Sequence, residues 1–138
     1  MLTMYIIPCD DKEASDFENA EESISEIADE VIQLSDHNLT NIEKRSDSWF
    51  GYIYSNERFD YNLYQAIPYY LKAESRFDYL VLYKKVMHEG ELKIFRSPRI
   101  FRSEVIIEEG TLIPREPNLH SPVVALDGWI LEGNDVYL

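Results

Sequence analysis

Apolar and polar residues follow two rhythms along this chain, and the rhythms divide it into a short list of elements. Residues 2–7, Leu-Thr-Met-Tyr-Ile-Ile, form an apolar run of strand length, and Pro8 ends its hydrogen bonding. Ser15 and Glu18 then stand three apart in a capping-box pattern. Phe17, Ala20, Ile24, Ile27, Ala28 and Val31 follow at helical spacing, with Glu dominating the opposite face. Residues 31–34 read as a short strand and 35–48 as a polar loop or short helix. Residues 49–54, Trp-Phe-Gly-Tyr-Ile-Tyr, read as a strand.

A helix is predicted over 62–73, with Leu63, Ala66, Ile67, Tyr70 and Leu71 on a common side. Pro68 falls inside it and predicts a bend or a split. Strands are predicted over 78–86, 91–101 and 104–107. Pro114, Pro117 and Pro122 punctuate residues 111–125, which read as irregular, before a last short strand at 128–131. Alternation of strand and helix followed by a β-rich part predicts one α/β domain over residues 1–138, a small mixed sheet with flanking helices.

Charge narrows the partners. The chain of 138 residues holds 13 Lys and Arg against 26 Asp and Glu, a formal net charge of −13. Such a surface repels phosphate backbones and anionic lipid, so direct nucleic-acid binding is not expected. An acidic surface suits solubility, or docking on another protein with a basic surface. The charge is uneven, with 15 acids and 4 bases in residues 1–60 but 7 acids and 9 bases in residues 61–115. That asymmetry also permits self-association. No run approaches the ~20 apolar residues of a membrane span, and the start lacks the basic region of a signal peptide. A cytoplasmic protein, of a cell or of a virus, is the expectation, without membrane insertion.

Candidate chemistry is sparse. Cys9 is the single cysteine, which excludes an internal disulfide and predicts a small buried side chain after the first strand. His37, His88 and His120 show no metal-ligand spacing. There is no phosphate-cradling Gly-rich loop and no nucleophile elbow. Arg96, Arg99 and Arg102 recur every three residues in a strand-like region, suited to an anion or to the chain's own acids. On an alternating strand Arg96 and Arg102 share a face and Arg99 takes the other. Ten tyrosines, eight of them between Tyr52 and Tyr83, exceed what a small core can bury, so several are expected half exposed at an interface or a sheet rim.

Four strings then fall in a telling order. Tyr5-Ile6-Ile7-Pro8-Cys9 leads through acids to Glu21-Glu22-Ser23-Ile24. Residues 27–34 lead to Ser35-Asp36-His37-Asn38-Leu39-Thr40-Asn41. Trp49-Phe50-Gly51-Tyr52-Ile53-Tyr54 leads to Ser55-Asn56-Glu57-Arg58. Arg99-Ile100-Phe101-Arg102 is followed by Leu119-His120. Together they resemble a truncated, degenerate family 2 glycosyltransferase, the nucleotide-sugar-dependent type with the GT-A fold. The resemblance implies a reduced GT-A, Rossmann-like sheet. It implies nucleotide contacts at Asp36, Arg99 and Arg102, and an acceptor side at His120.

It also exposes losses. Tyr54 and Asn56 stand at the two positions of the family's Asp-x-Asp metal motif. A phenol and an amide do not replace two carboxylates around Mn2+ or Mg2+. Glu57 is left as the metal ligand if activity survives. For the general base, Glu89, Glu91, Glu104, Glu108 and Glu109 are available, none in an alignable string. The stretch between Asn41 and Trp49 is too short for the helix and strand the family places there.

Two function classes follow. One is a non-catalytic glycosyltransferase-like protein, without cofactor, acting through an acidic, tyrosine-rich surface. The other is a minimal metal-dependent glycosyltransferase using a nucleotide sugar with Mn2+ or Mg2+. An open cleft joining Asp36, Glu57 and His120 would favour the second.

Overall fold

The fold was analysed on a computed structural model, which describes residues 2–9, 14–34, 49–72, 79–102 and 123–132. The expectations at 35–48, at 104–107, at Asp36 and at His120 lie outside them. Among the described residues there are seven strands and two helices: β1 (Leu2–Ile7), α1 (Ala14–Ile24), β2 (Glu30–Gln33), β3 (Trp49–Tyr54), β4 (Glu57–Phe59), α2 (Tyr61–Lys72), β5 (Tyr79–His88), β6 (Glu91–Arg102) and β7 (Val123–Glu132). The class is mixed α/β, richer in strand than in helix.

One sheet runs in the order β2-β1-β3-β6-β5-β7-β4. β1 is flanked by β2 and β3, both parallel to it, and α1 supplies the crossover from β1 to β2. Flanked on both sides, β1 is buried along its whole length, which is why it reads as an apolar run interrupted only by Thr3. Its residues alternate between two cores. Leu2, Met4 and Ile6 join Ala20 and Ile24 of α1 and Leu63 and Ile67 of α2. Tyr5 and Ile7 join Phe50, Tyr52 and Phe101 in an aromatic layer on the other face. Both helices therefore cover the same face.

α1 stops at Ile24, although its apolar spacing runs on through Ile27 and Ala28. The reason is a competing pairing. Asp29 Oδ2 accepts from the Leu2 N–H at 2.7 Å, and the Asp29 N–H donates to the Leu2 carbonyl at 2.9 Å. That exchange turns the chain into β2. α2, in contrast, continues through Pro68 rather than splitting there. Residues 123–125, expected to be irregular, belong to β7, which is ten residues long and runs parallel to β5 on one side and antiparallel to β4 on the other.

β4 decides the shape. It begins only two residues after β3, at Glu57, yet it pairs with β7 at the opposite end of the strand order. The sheet must curl to bring that end back beside β3. Ser23 anchors the curl to α1. Its hydroxyl donates to the Ala20 carbonyl at 2.8 Å and accepts from the Phe59 N–H at 3.1 Å. Where β3 and β6 cross, Gly51 leaves no room for a side chain, since a Cβ would lie 2.6 Å from the Arg99 carbonyl oxygen.

Candidate functional site

Two places concentrate polar chemistry, one inside the curl and one on its outer side. The inner one is built on Glu57, only 1% exposed. β4 carries it to the centre of the curled strands. Arg99 of β6 grips its carboxylate with two bonds, Nη1 to Oε1 at 2.6 Å and Nη2 to Oε2 at 2.8 Å. Lys84 of β5 reaches Oε2 at 2.5 Å and Glu132 of β7 at 3.1 Å. The Tyr54 N–H at the end of β3 donates to Oε1 at 2.9 Å. One carboxylate thus ties β3, β5 and β6 to β4, and Lys84 extends the tie to β7.

Charge balances within this cluster, with two carboxylates against two cations. Burial alone would push the Glu57 carboxyl up. The Arg99 charge and its two hydrogen bonds, then Lys84, outweigh burial and hold it down at about 2, against 4.5 for the free side chain. Lys84 is raised in turn: burial, the largest single influence, pulls it down, but the charges and hydrogen bonds of Glu57 and Glu132 together outweigh it. Arg99 also donates from Nε to Ser97 Oγ at 2.7 Å and lies over the Tyr52 ring, 4.6 Å from its centroid. Burial raises the Tyr52 phenol, which Arg99 partly offsets.

The family resemblance offered Glu57 to a metal and Arg99 to a nucleotide if activity survives, whereas the arginine spacing itself also suited pairing with the chain's own acids. The structure makes them each other's partners. Each oxygen of Glu57 already accepts two bonds, so the residues here do not fit a divalent cation. Arg102 stacks over the Trp49 ring at 4.8 Å, and Arg96 stands exposed opposite Tyr83. Simple alternation does not carry across this region, because a bulge at Arg99 adds a residue to β6. Glu89 and Glu91 lie at the exposed β5–β6 turn, away from Glu57.

At the carboxyl ends of β1 and β3 the two strands are stitched together. The Cys9 N–H donates to Ser55 Oγ at 2.9 Å, and the Ser55 N–H donates to the Ile7 carbonyl at 2.9 Å. In open α/β sheets this change in strand order is where ligands lodge. Here buried Ser55 bridges it. Cys9 is half-buried rather than buried.

The outer place is a cleft of about 340 Å³ between α1, β4 and the start of α2. Glu22, Arg58, Asp60, Tyr61 and Tyr64 line it. Asp60 caps α2, its Oδ1 accepting from the Leu63 N–H at 3.1 Å. That cap aims the first turn of α2, with Tyr61 and Tyr64, along the cleft. The two rings meet edge to face, 6.1 Å between centroids. Tyr61 is 68% exposed. Tyr64 is pushed up by burial and then by the charges of Glu26, Glu22 and Asp60, with Arg58 opposing. Nothing in the sequence pattern marked this cleft, because its residues come from an acidic helix face and a helix start nearly forty positions apart.

Among the described residues no three His, Cys, Asp or Glu side chains are grouped to hold a metal, and no helix is long and apolar enough to cross a membrane. Compared with known proteins, the chain matches no family model and no curated protein.

Proposed function

We propose that this chain is a non-catalytic, glycosyltransferase-like binding protein. Its working surface is the acidic, tyrosine-lined cleft, and its partner is another protein presenting Lys or Arg. The observation that carries this reading is Tyr64 standing among Glu22, Glu26 and Asp60, with Tyr61 beside it. Carboxylates set around aromatic faces recognise a cationic side chain through charge-assisted hydrogen bonds and cation–π attraction. The commitment of Glu57 to Arg99 and Lys84 agrees with a scaffold role for the one acid that the family resemblance offered to a metal.

Calorimetric titration with an arginine-rich peptide at low and high salt tests it. Binding at low salt that weakens with salt and with Glu22→Gln or Tyr64→Leu is the expected result. Binding indifferent to both substitutions, or none at millimolar peptide, refutes it.

One observation favours a second reading, the minimal glycosyltransferase. β2, β1 and β3 are parallel, and the ends of β1 and β3 adjoin where the strand order changes. Titration with UDP and GDP, each with and without Mn2+, separates the readings. Metal-dependent nucleotide binding would replace the first by the second.

A further inference from the structure

The β5–β6 hairpin extends beyond the rest of the sheet. β3 pairs with β6 only from Gly51 to Trp49, opposite Ile100 to Arg102, and β7 leaves β5 after Lys85. From residue 91 to 96 every residue of β6 is exposed. The arm closes in a two-residue turn, Glu89 and Gly90, both at positive φ (53° and 80°), the geometry that suits the twist of a tight hairpin.

This arm carries apolar side chains where solvent normally meets polar ones. Met87 pairs with Leu92, and Lys85 pairs with Ile94. Paired residues share a face, so Met87, Leu92 and Ile94 form one stripe, 45%, 51% and 51% exposed. Charge is graded along the same arm. Glu89 in the turn and Glu91, paired with His88 on the opposite face, sit at the tip with exposed Lys93 next to them, whereas Lys85 and Arg96 sit at the root on the stripe's own face. Lys85 is held over the Trp129 ring at 4.1 Å.

We propose that a second copy of this chain covers the stripe, the two arms lying antiparallel about a twofold axis. In that arrangement the apolar stripes meet at the centre. The acidic tip of each arm meets the basic root of the other. An antiparallel pair is therefore complementary in charge, and a parallel pair is not. A twofold contact uses the same patch on both copies and closes on itself. This inference is independent of the cleft, which lies on other elements.

Sedimentation equilibrium of the full chain over a wide concentration range tests it. The wild type should form a dimer and no larger species. Leu92→Asp with Ile94→Asp should weaken the dimer on the order of 10-fold or more while leaving the circular dichroism unchanged, since both positions are exposed, and should remove the concentration dependence of the melting temperature that a dimer brings. A charge exchange checks the geometry. Lys85→Glu with Arg96→Glu in one chain, and Glu89→Lys with Glu91→Lys in another, should each be monomeric alone and dimeric when mixed. A wild type that stays monomeric at low salt overturns the proposal and assigns the stripe to a different molecule. So does a dimer indifferent to the two Asp substitutions, or a mixture that does not pair.

Discussion

Replacing Glu57 by Gln keeps the side chain's size and deletes its charge. Arg99, 2% exposed, would then face a neutral amide with no water to compensate, while Lys84 would keep only Glu132 as its ionic partner. The magnitude can be reached in two ways. Breaking a buried ion pair by removing one partner costs about 3–5 kcal/mol. Separately, holding the carboxyl at about 2 instead of 4.5 corresponds to on the order of 3 kcal/mol, at about 1.4 kcal/mol per pH unit. The two agree on roughly 3 kcal/mol near neutral pH.

With a urea dependence of about 2 kcal/mol per M, the unfolding midpoint should fall by about 1.5 M. The pH dependence has a definite sign. A depressed carboxyl stabilises the fold above its unfolded value of 4.5 and loses that contribution as pH falls towards 2. The gap between wild type and Glu57→Gln should therefore be full near neutrality and shrink below pH 4.5. Urea titrations at several pH values measure both. A loss under about 1 kcal/mol, or a gap that stays constant through acid, would refute the reasoning. Replacing all three together, Glu57→Leu with Arg99→Met and Lys84→Met, should cost less than Glu57→Gln alone, since an apolar cluster of similar volume leaves no buried charge to compensate and only the Tyr54 N–H without its acceptor.

Three further outcomes are expected. Ser23→Ala strands the buried Phe59 N–H and should cost about 1–3 kcal/mol, with faster hydrogen exchange at Phe59 as the local sign. Thr3→Val should raise the melting temperature by removing a buried hydroxyl, Oγ1, that has no hydrogen-bond partner, for a gain of about 1 kcal/mol. Gly51→Ala should destabilise by about 1–3 kcal/mol in chemical denaturation, because the Arg99 carbonyl oxygen at 2.6 Å is backbone and cannot step aside; a neutral result would mean β3 and β6 adjust freely.

Long elements with their own pattern were legible from residues alone. β1 and β3 fall where their apolar runs placed them, and α2 is displaced by one residue at each end. The end of α1 was not legible, because its periodicity runs on through Ile27 and Ala28 while the pairing of Asp29 with Leu2 is a tertiary event. β4 was missed. Three residues carry no period, and their strand character comes only from β7. The inner site shares that fate. Glu57 and Arg99 were both singled out, but 42 positions separate them, and the curl that joins them depends on β4. Tyr61 and Tyr64 were legible as surplus tyrosines and the Glu-rich face of α1 as an acidic surface; that the two adjoin in one cleft was not.

The placement of β7 also bears on how the chain reaches its fold. Last of the seven strands in chain order, it is not last in the sheet: it lies between β5 and β4. Among the described residues the strand partner of β4 is β7, residues 123–132, more than sixty positions further along. Glu57 cannot be enclosed before that strand is available. Pairings so distant in sequence slow folding, because loop closure must come before the contacts that reward it. During synthesis the parallel β2-β1-β3 part can form early, with the Glu57 cluster as the final step. A refolding experiment in which Glu57→Gln accelerates unfolding while leaving the folding rate nearly unchanged would place that cluster after the rate-limiting barrier.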